Sequence, residues 1–318
     1  MKHGFDTRKE WKSISEQISL LKERGMIFEN EERANILLEA FGYYRLSGYW
    51  FPFRTFEKGP NGKIVKRHDK FLENSFFEDA VLLYDFDKKL RDLVFSSLEV
   101  IETGIKMAIA YNLGKHDTHA HHKNNFFEPQ FSKSGMNSDN EKTPSKFDKW
   151  LKKHEDSIER AGKREFVKHN IKYGKLPIWI AVELWDFGSM SFLYHNLRAV
   201  YKDEIANKFG LTGKTLSSWI RSLNFIRNSC AHHMRIWNNN IPERAGSNNI
   251  GFLQKTDSNR IFYYINIIEY LIQKLGVENN LNRDITLLIR DFPKVKNNSV
   301  DVKDMGINEE DTSILIVP

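Results

Sequence analysis

The chain has 318 residues, 40% of them hydrophobic, and 48 Lys and Arg against 42 Asp and Glu give a net charge of +6. That apolar share is enough to bury a core and excludes a disordered chain, while the small basic excess is compatible with a polyanionic partner without demanding one. The single cysteine, Cys230, excludes an intrachain disulfide and fits a reducing compartment.

The first residues, MKHGFDTRKEW, hold no apolar leader core, and no stretch approaches the roughly 18 apolar residues of a membrane span. A cytoplasmic protein without membrane contact is expected. From Trp11 the apolar residues Ile14, Ile18 and Leu21 recur at helical spacing, with Arg24-Gly25 as a stop, and a short helix follows over Glu31 to Phe41. Next comes the aromatic run GYYRLSGYWFPFR, Gly42 to Arg54, punctuated by Gly48 and Pro52. Pro60 to Gly62 reads as a turn with short strands on either side.

The strongest periodicity runs from about Glu78 to Leu113, where Leu83, Phe86, Leu90, Leu93, Ser97, Ile101, Ile105 and Ala108 trace one stripe of a long helix. Arg91 and Glu102, close to three turns apart, lie on one line of its surface. Residues 115–175 are polar and irregular, with a charged helical stretch from Lys146 to Lys168, and read as an insertion between core helices. Pro177 then suits a first helical turn and Gly188 a break. Further helices are expected at about Asp203 to Phe209, Gly213 to Ala231, Ser258 to Leu275 and Asn282 to Arg290. With few strand signals and no repeat, the fold class is mainly all-α. The expected organisation is an N-terminal helical and aromatic region over 1–75, a helical domain over 76–290 carrying the insertion, and a peripheral tail over 291–318.

One helix ends unusually. After TLSSWIRSLNFI the chain continues RNSCAHHMRIWNNN, Arg227 to Asn240. On a wheel centred on Leu216, Arg227 falls inside the apolar stripe of Trp219, Ile220, Leu223, Ile226 and Cys230, where a permanently charged guanidinium needs an anion or a polar cleft. His232 is about 140° away from Arg227 on an ideal helix, so the two cooperate only if the helix ends between them or a second copy completes the site. His233, Arg235 and the asparagine run before Pro242 supply the ending. An arginine and a histidine converging in a cleft suit RNA cleavage by 2′-hydroxyl attack, which needs a group moving protons near neutral pH and a cation facing the developing phosphorane, and no metal. The same residues also serve as ordinary dipole-compensating residues of a helix C-terminus, with Asn228, Trp237 and Asn238 as capping and packing residues.

Arg227-Asn228-Ser229-Cys230-Ala231-His232 resembles the Arg-Asn-x(3)-His form of the HEPN ribonuclease motif, and its extension CAHHMRIWN resembles the signature of Abi-like abortive-infection proteins of the AbiD/AbiF type. QISLLKERGM, GYYRLSGYWFPF, LYDFDKKLRDLVFSSLEVIETGIK and LPIWIAVELWDFGSMSFLY resemble the same family, so the likeness runs from about Gln17 to Asn238. It implies a HEPN-like helical bundle, metal-independent endoribonuclease activity without a cofactor, and a role in phage defence by growth arrest. Only one motif is present, so the implied composite site requires a homodimer. Some members of the family act with a small structured RNA. Carried over by position, the resemblance makes His232 the acid/base, Arg227 the phosphate-stabilising cation and Asn228 an orienting residue. Glu102 becomes a support for Arg227, and His233 the lesser of the two histidines. Where the family often has Arg, this chain has Lys106, which lacks the bidentate contact.

Arg45 and Arg54, interleaved with aromatics as in single-strand stacking platforms, are candidate RNA contacts together with Lys106 and Arg235, although aromatic runs more often form core. His116, Asp117, His119, His121 and His122 in GKHDTHAHHKNN offer metal-ligand side chains but lack zinc-helix spacing, and read as a solvated loop able to touch RNA rather than as a metal site. A non-catalytic RNA-binding or assembly protein on the same fold is the alternative function.

Overall fold

A computed structural model describes residues 10–307 apart from 137, 139, 140, 173, 248, 249 and 255. The chain is mainly helical and divides into two compact units, Met1–Leu90 with Leu287–Asp304, and Arg91–Thr286 with Met305–Pro318.

The first unit opens with α1 (Ile14–Glu23), whose N-cap Ser13 forms a reciprocal capping box with Glu16. This cap starts the helix three residues past Trp11, which lies outside it and is 85% exposed, so Trp11 is not part of the helical stripe that its spacing suggested. Helix α2 (Glu31–Phe41) ends where Gly42 takes φ 79°, a conformation that costs a Cβ-free residue little. Helix α3 (Tyr43–Trp50) then runs through Gly48 without a break, because Leu46, Tyr49 and Trp50 bury one face of it. A 3-10 turn over Phe51–Phe53 leads into the antiparallel hairpin β1 (Arg54–Lys58) and β2 (Ile64–Phe71), on either side of the expected turn. The aromatic run is therefore largely core: Tyr49, Trp50 and Phe53 are at most 1% exposed, whereas Tyr44 stands out at 89%.

Helix α4 (Phe77–Gly114) is the long helix of the periodic stripe. Its first part belongs to this unit. There the Asp87 carboxylate accepts from the buried Tyr49 hydroxyl at 2.7 Å, and Asp79 accepts the Lys296 backbone N–H at 2.8 Å. That bond ties part of the tail to the unit; the tail's residues 308–318 lie outside the described residues.

The second unit takes the remainder of α4, whose Ile101, Ile105, Ile109 and Leu113 are fully buried. In the insertion a two-residue pairing of β3 (Gly135–Met136) with β4 (Lys142–Thr143) precedes α5 (Lys146–Arg160) and α6 (Glu165–Ile171). Short α7 (Ile178–Ala181) leads to α8 (Phe187–Asn196), α9 (Ala199–Asn207) and α10 (Gly213–Ala231). The break expected at Gly188 falls two residues earlier, because Asp186 caps α8 through the Ser189 N–H and leaves Gly188 inside the first turn. After the short α11 (Gly251–Gln254), α12 (Ile261–Leu275) is buried over most of its circumference, as a central core helix must be, and α13 (Leu281–Arg290) follows. A Cβ on Gly104 of α4 would lie 2.5 Å from the Leu275 methyls, so this glycine lets α12 approach closely.

Candidate functional site

Helix α10 starts at its cap Thr212, packs against α8 and α9, and buries Leu216, Trp219, Ile220, Leu223, Ile226 and Cys230. It stops at Ala231. The His233 N–H donates to the Cys230 carbonyl at 3.0 Å and the Met234 N–H to the Ser229 carbonyl at 2.8 Å, the paired bonds of a Schellman ending. That ending requires a left-handed residue, and His233 supplies it with φ 56°. His233 thus has a backbone task that glycine performs with less strain. We expect His233→Gly to leave stability unchanged or raise it by up to about 1 kcal/mol, read as the midpoint of urea unfolding. A drop of that size would contradict a left-handed cap.

The helix end exposes Asn228, His232 and His233, while Trp237 anchors the following segment in the core. Arg227 is only half-buried, not enclosed in the apolar stripe. Its guanidinium lies over the Phe95 ring of α4, 5.4 Å from the centroid, so the stem covers the aromatic face while the charge keeps access to water. Among the described residues its one polar contact inside the chain is a long one, 3.5 Å to the Asn228 side-chain oxygen. Among the described residues no carboxylate pairs with Arg227, which leaves the cation able to take an anion.

The expected Arg227 to Glu102 pair is not made. Glu102 is seven residues beyond Phe95, about 10 Å along the helix axis, and its carboxylate receives Lys106 at 2.7 Å instead. Lys106 is buried and committed to that pair, so it does not present a free cation to RNA. Arg235 is half-buried and engaged within the chain. Arg91, which the sequence placed on one line of α4 with Glu102 but to which it gave no role at the site, is 3% exposed, and its Nη1 reaches the Met234 carbonyl at 3.5 Å. Arg91 and Phe95 are one turn apart on the same face of α4, so that face meets the end of α10 at both residues. Arg45 and Arg54 belong to the first unit: Arg45 is exposed on α3, and Arg54 pairs with Asp69 at 3.1 Å beside the Phe51 ring.

The model of the Abi-like protein family matches residues 36–238, more than half of the chain, and its match ends one residue after the buried Trp237. The chain belongs to the Abi-like family. This places it with abortive-infection, phage-defence proteins. The match takes in α3, the hairpin, α4, the insertion and the whole RNSCAH segment of this Abi-like protein, and leaves α12 and α13 outside. No curated protein and no solved structure matches the chain. Among the described residues no helix is long and apolar enough to cross a membrane.

The histidine-rich stretch of the Abi-like chain is not the solvated loop its polarity suggested. His121 and His122 sit on a 3-10 turn over Ala120–His122, and His121 is fully buried. Around it are His122, His154 of α5 and the Trp185 ring. Burial, the largest cause in each case, holds His121 down at about 2, His122 at about 4 and His154 at about 4. Unfolded, the same groups take a proton near 6.5. Below that pH the unfolded chain binds protons that the folded one refuses until about 4 or lower, so stability falls as the pH drops through this window and is complete above it. The urea midpoint of the wild type should be lower at pH 5 than at pH 7, and less so in His121→Phe. Equal pH dependence in both would show that the buried imidazole does not titrate as described.

Proposed function

We propose that this Abi-like protein is a metal-independent endoribonuclease of the HEPN type, acting in phage defence. The observation that carries the reading is the helix end itself, where an arginine without a carboxylate partner among the described residues and an exposed histidine share one six-residue segment. In the proposed reaction His232 takes the proton of an RNA 2′-hydroxyl, the 2′-oxygen attacks the adjacent phosphorus, and the 5′-oxygen leaves with a proton delivered by an imidazolium. The charge gathering on the phosphorane faces the Arg227 guanidinium. A single imidazole cannot hold and release a proton at both oxygens at once, so the second is supplied by another copy of the chain, and the active species is a homodimer. Asn228 orients Arg227 through its side-chain oxygen. We further propose that a small structured RNA partner restrains the activity.

A second reading has one specific observation behind it. The contact of Arg227 with Phe95 is also what a purely structural arginine makes, and on that reading the protein binds RNA or a partner without cutting it. Expression in bacteria separates the two. Wild type is expected to arrest growth and fragment cellular RNA, and His232→Ala to do neither. Equal toxicity, or equal RNA integrity, in the two strains would sink the nuclease reading.

A further inference from the structure

Among the described residues, His121, His122 and His154 form a group of metal-ligating side chains that the proposed nuclease does not use. One ring nitrogen from each lies within 4.8 Å of the others. His121 and His154 are 0% and 3% exposed, while His122 is half-buried and borders the outside. Neighbouring residues seldom aim two rings at one point, yet the tight turn brings the His121 and His122 centroids to 4.3 Å, and His154 lies 5.3 Å and 5.9 Å from them.

What sets this cluster apart is its hydrogen-bond account. Both nitrogens of His121, both of His122 and Nε2 of His154 are buried and without a partner among the described residues. Only Nδ1 of His154 is satisfied, accepting from the Trp185 indole N–H at 3.2 Å. Each orphaned donor or acceptor costs about 1–3 kcal/mol, and buried polar atoms so placed are a minority in folded proteins. Mere aromatic packing would be served as well by phenylalanine, without that penalty.

We propose that His121, His122 and His154 bind a transition-metal ion, with Zn2+ favoured, which pins the turn after α4 to α5. Three neutral imidazoles with no thiolate or carboxylate are a borderline-soft set that suits Zn2+ over Mg2+ or Ca2+. Zinc–nitrogen bonds of about 2.0–2.1 Å require ligand nitrogens roughly 3.4 Å apart, so small ring rotations bring the set together. The half-exposed edge at His122 leaves the fourth position to water. Trp150, stacked on His154 at 5.6 Å, and Trp185 wall the site on its inner side. His119 and Lys175 are the charged or titratable groups acting on the cluster from outside, and the lysine weakens rather than strengthens cation binding. Metal taken up at His154 Nε2 moves that ring's proton to Nδ1, which then no longer accepts from Trp185, so indole fluorescence reports loading.

The test uses the full-length chain without an affinity tag. After chelator treatment it is titrated with Co2+ and then Zn2+. We expect one Co2+ per chain with the intense visible absorption of a four- or five-coordinate nitrogen site, its displacement by Zn2+, and a Zn2+-dependent rise in the thermal midpoint. His122→Ala and His154→Ala should weaken uptake by at least about 10–100-fold, the loss seen when even an outer partner of a metal site is removed. X-ray absorption of the Zn2+-loaded wild type should show imidazole scattering and stands whether or not those variants fold. A wild type that takes up no metal, only the weak octahedral Co2+ band of oxygen ligands, or uptake unchanged in both variants, would overturn the site. Since the helix end of α10 contributes no ligand, His232→Ala should load as wild type does, and failure of the nuclease reading leaves this outcome untouched.

Discussion

His232→Ala should lower RNA cleavage by about 10²- to 10⁴-fold, the contribution of a positioned acid/base group, while leaving the fold in place. The two effects differ enough in size to be told apart. His232 is exposed, and the bond it makes at the helix end is its backbone N–H to the Asn228 carbonyl at 2.9 Å, which alanine keeps. What the fold loses is at most an imidazolium near the helix C-terminus, about 0.3–1 kcal/mol. The catalytic loss corresponds to roughly 3–5 kcal/mol of barrier. Single-turnover cleavage of a labelled RNA, with circular dichroism of both proteins, checks both halves. Residual cleavage above one tenth of wild type in a folded variant would remove His232 from the chemistry.

The second large effect belongs to Arg227. Arg227→Ala removes the only charge in the motif segment suited to face a phosphorane, and loss of one such electrostatic group costs about 10²- to 10³-fold in rate. It also uncovers the Phe95 ring, for which about 0.5–1 kcal/mol of stability is expected to go. Arg227→Lys separates the roles. Lysine keeps a cation and a long stem, so stability should return, but a compact ammonium lacks the planar two-pronged contact with phosphate oxygens and the rate should stay at least about tenfold down. Thermal midpoints together with single-turnover rates for the three proteins measure this. Rate and stability recovering in step with lysine would make Arg227 a packing residue and nothing more.

Local patterning made much of this visible beforehand. The bounds of α2, α4 and α10 follow from apolar spacing and from terminators such as Gly42, and the hairpin follows from the turn at Pro60 to Gly62. The end of α10 was legible because no regular helix lets Arg227 and His232 share a face. Tertiary packing overrode local signals elsewhere. Gly48 reads as a break but lies in α3, whose aromatic face gains more from burial than one glycine loses. The family resemblance made Glu102 a support for Arg227, yet the nearer cation on its own helix, Lys106, satisfies it. The buried triad was hidden for a different reason. His154 is 32 residues past His122, in a stretch whose charges read as solvated, and only the packing of Trp150 and Trp185 shows that its face turns inward.

In the proposed reaction RNA is cut by its own 2′-hydroxyl, with Arg227 facing the phosphate and His232 moving the proton, and such a reaction leaves its mark on the product ends. A synthetic RNA cleaved by the purified protein should yield fragments ending in 2′,3′-cyclic phosphate and beginning with 5′-hydroxyl, with neither product formed by His232→Ala. Fragments carrying 3′-hydroxyl and 5′-phosphate ends, the mark of attack by water in place of the neighbouring hydroxyl, would contradict it.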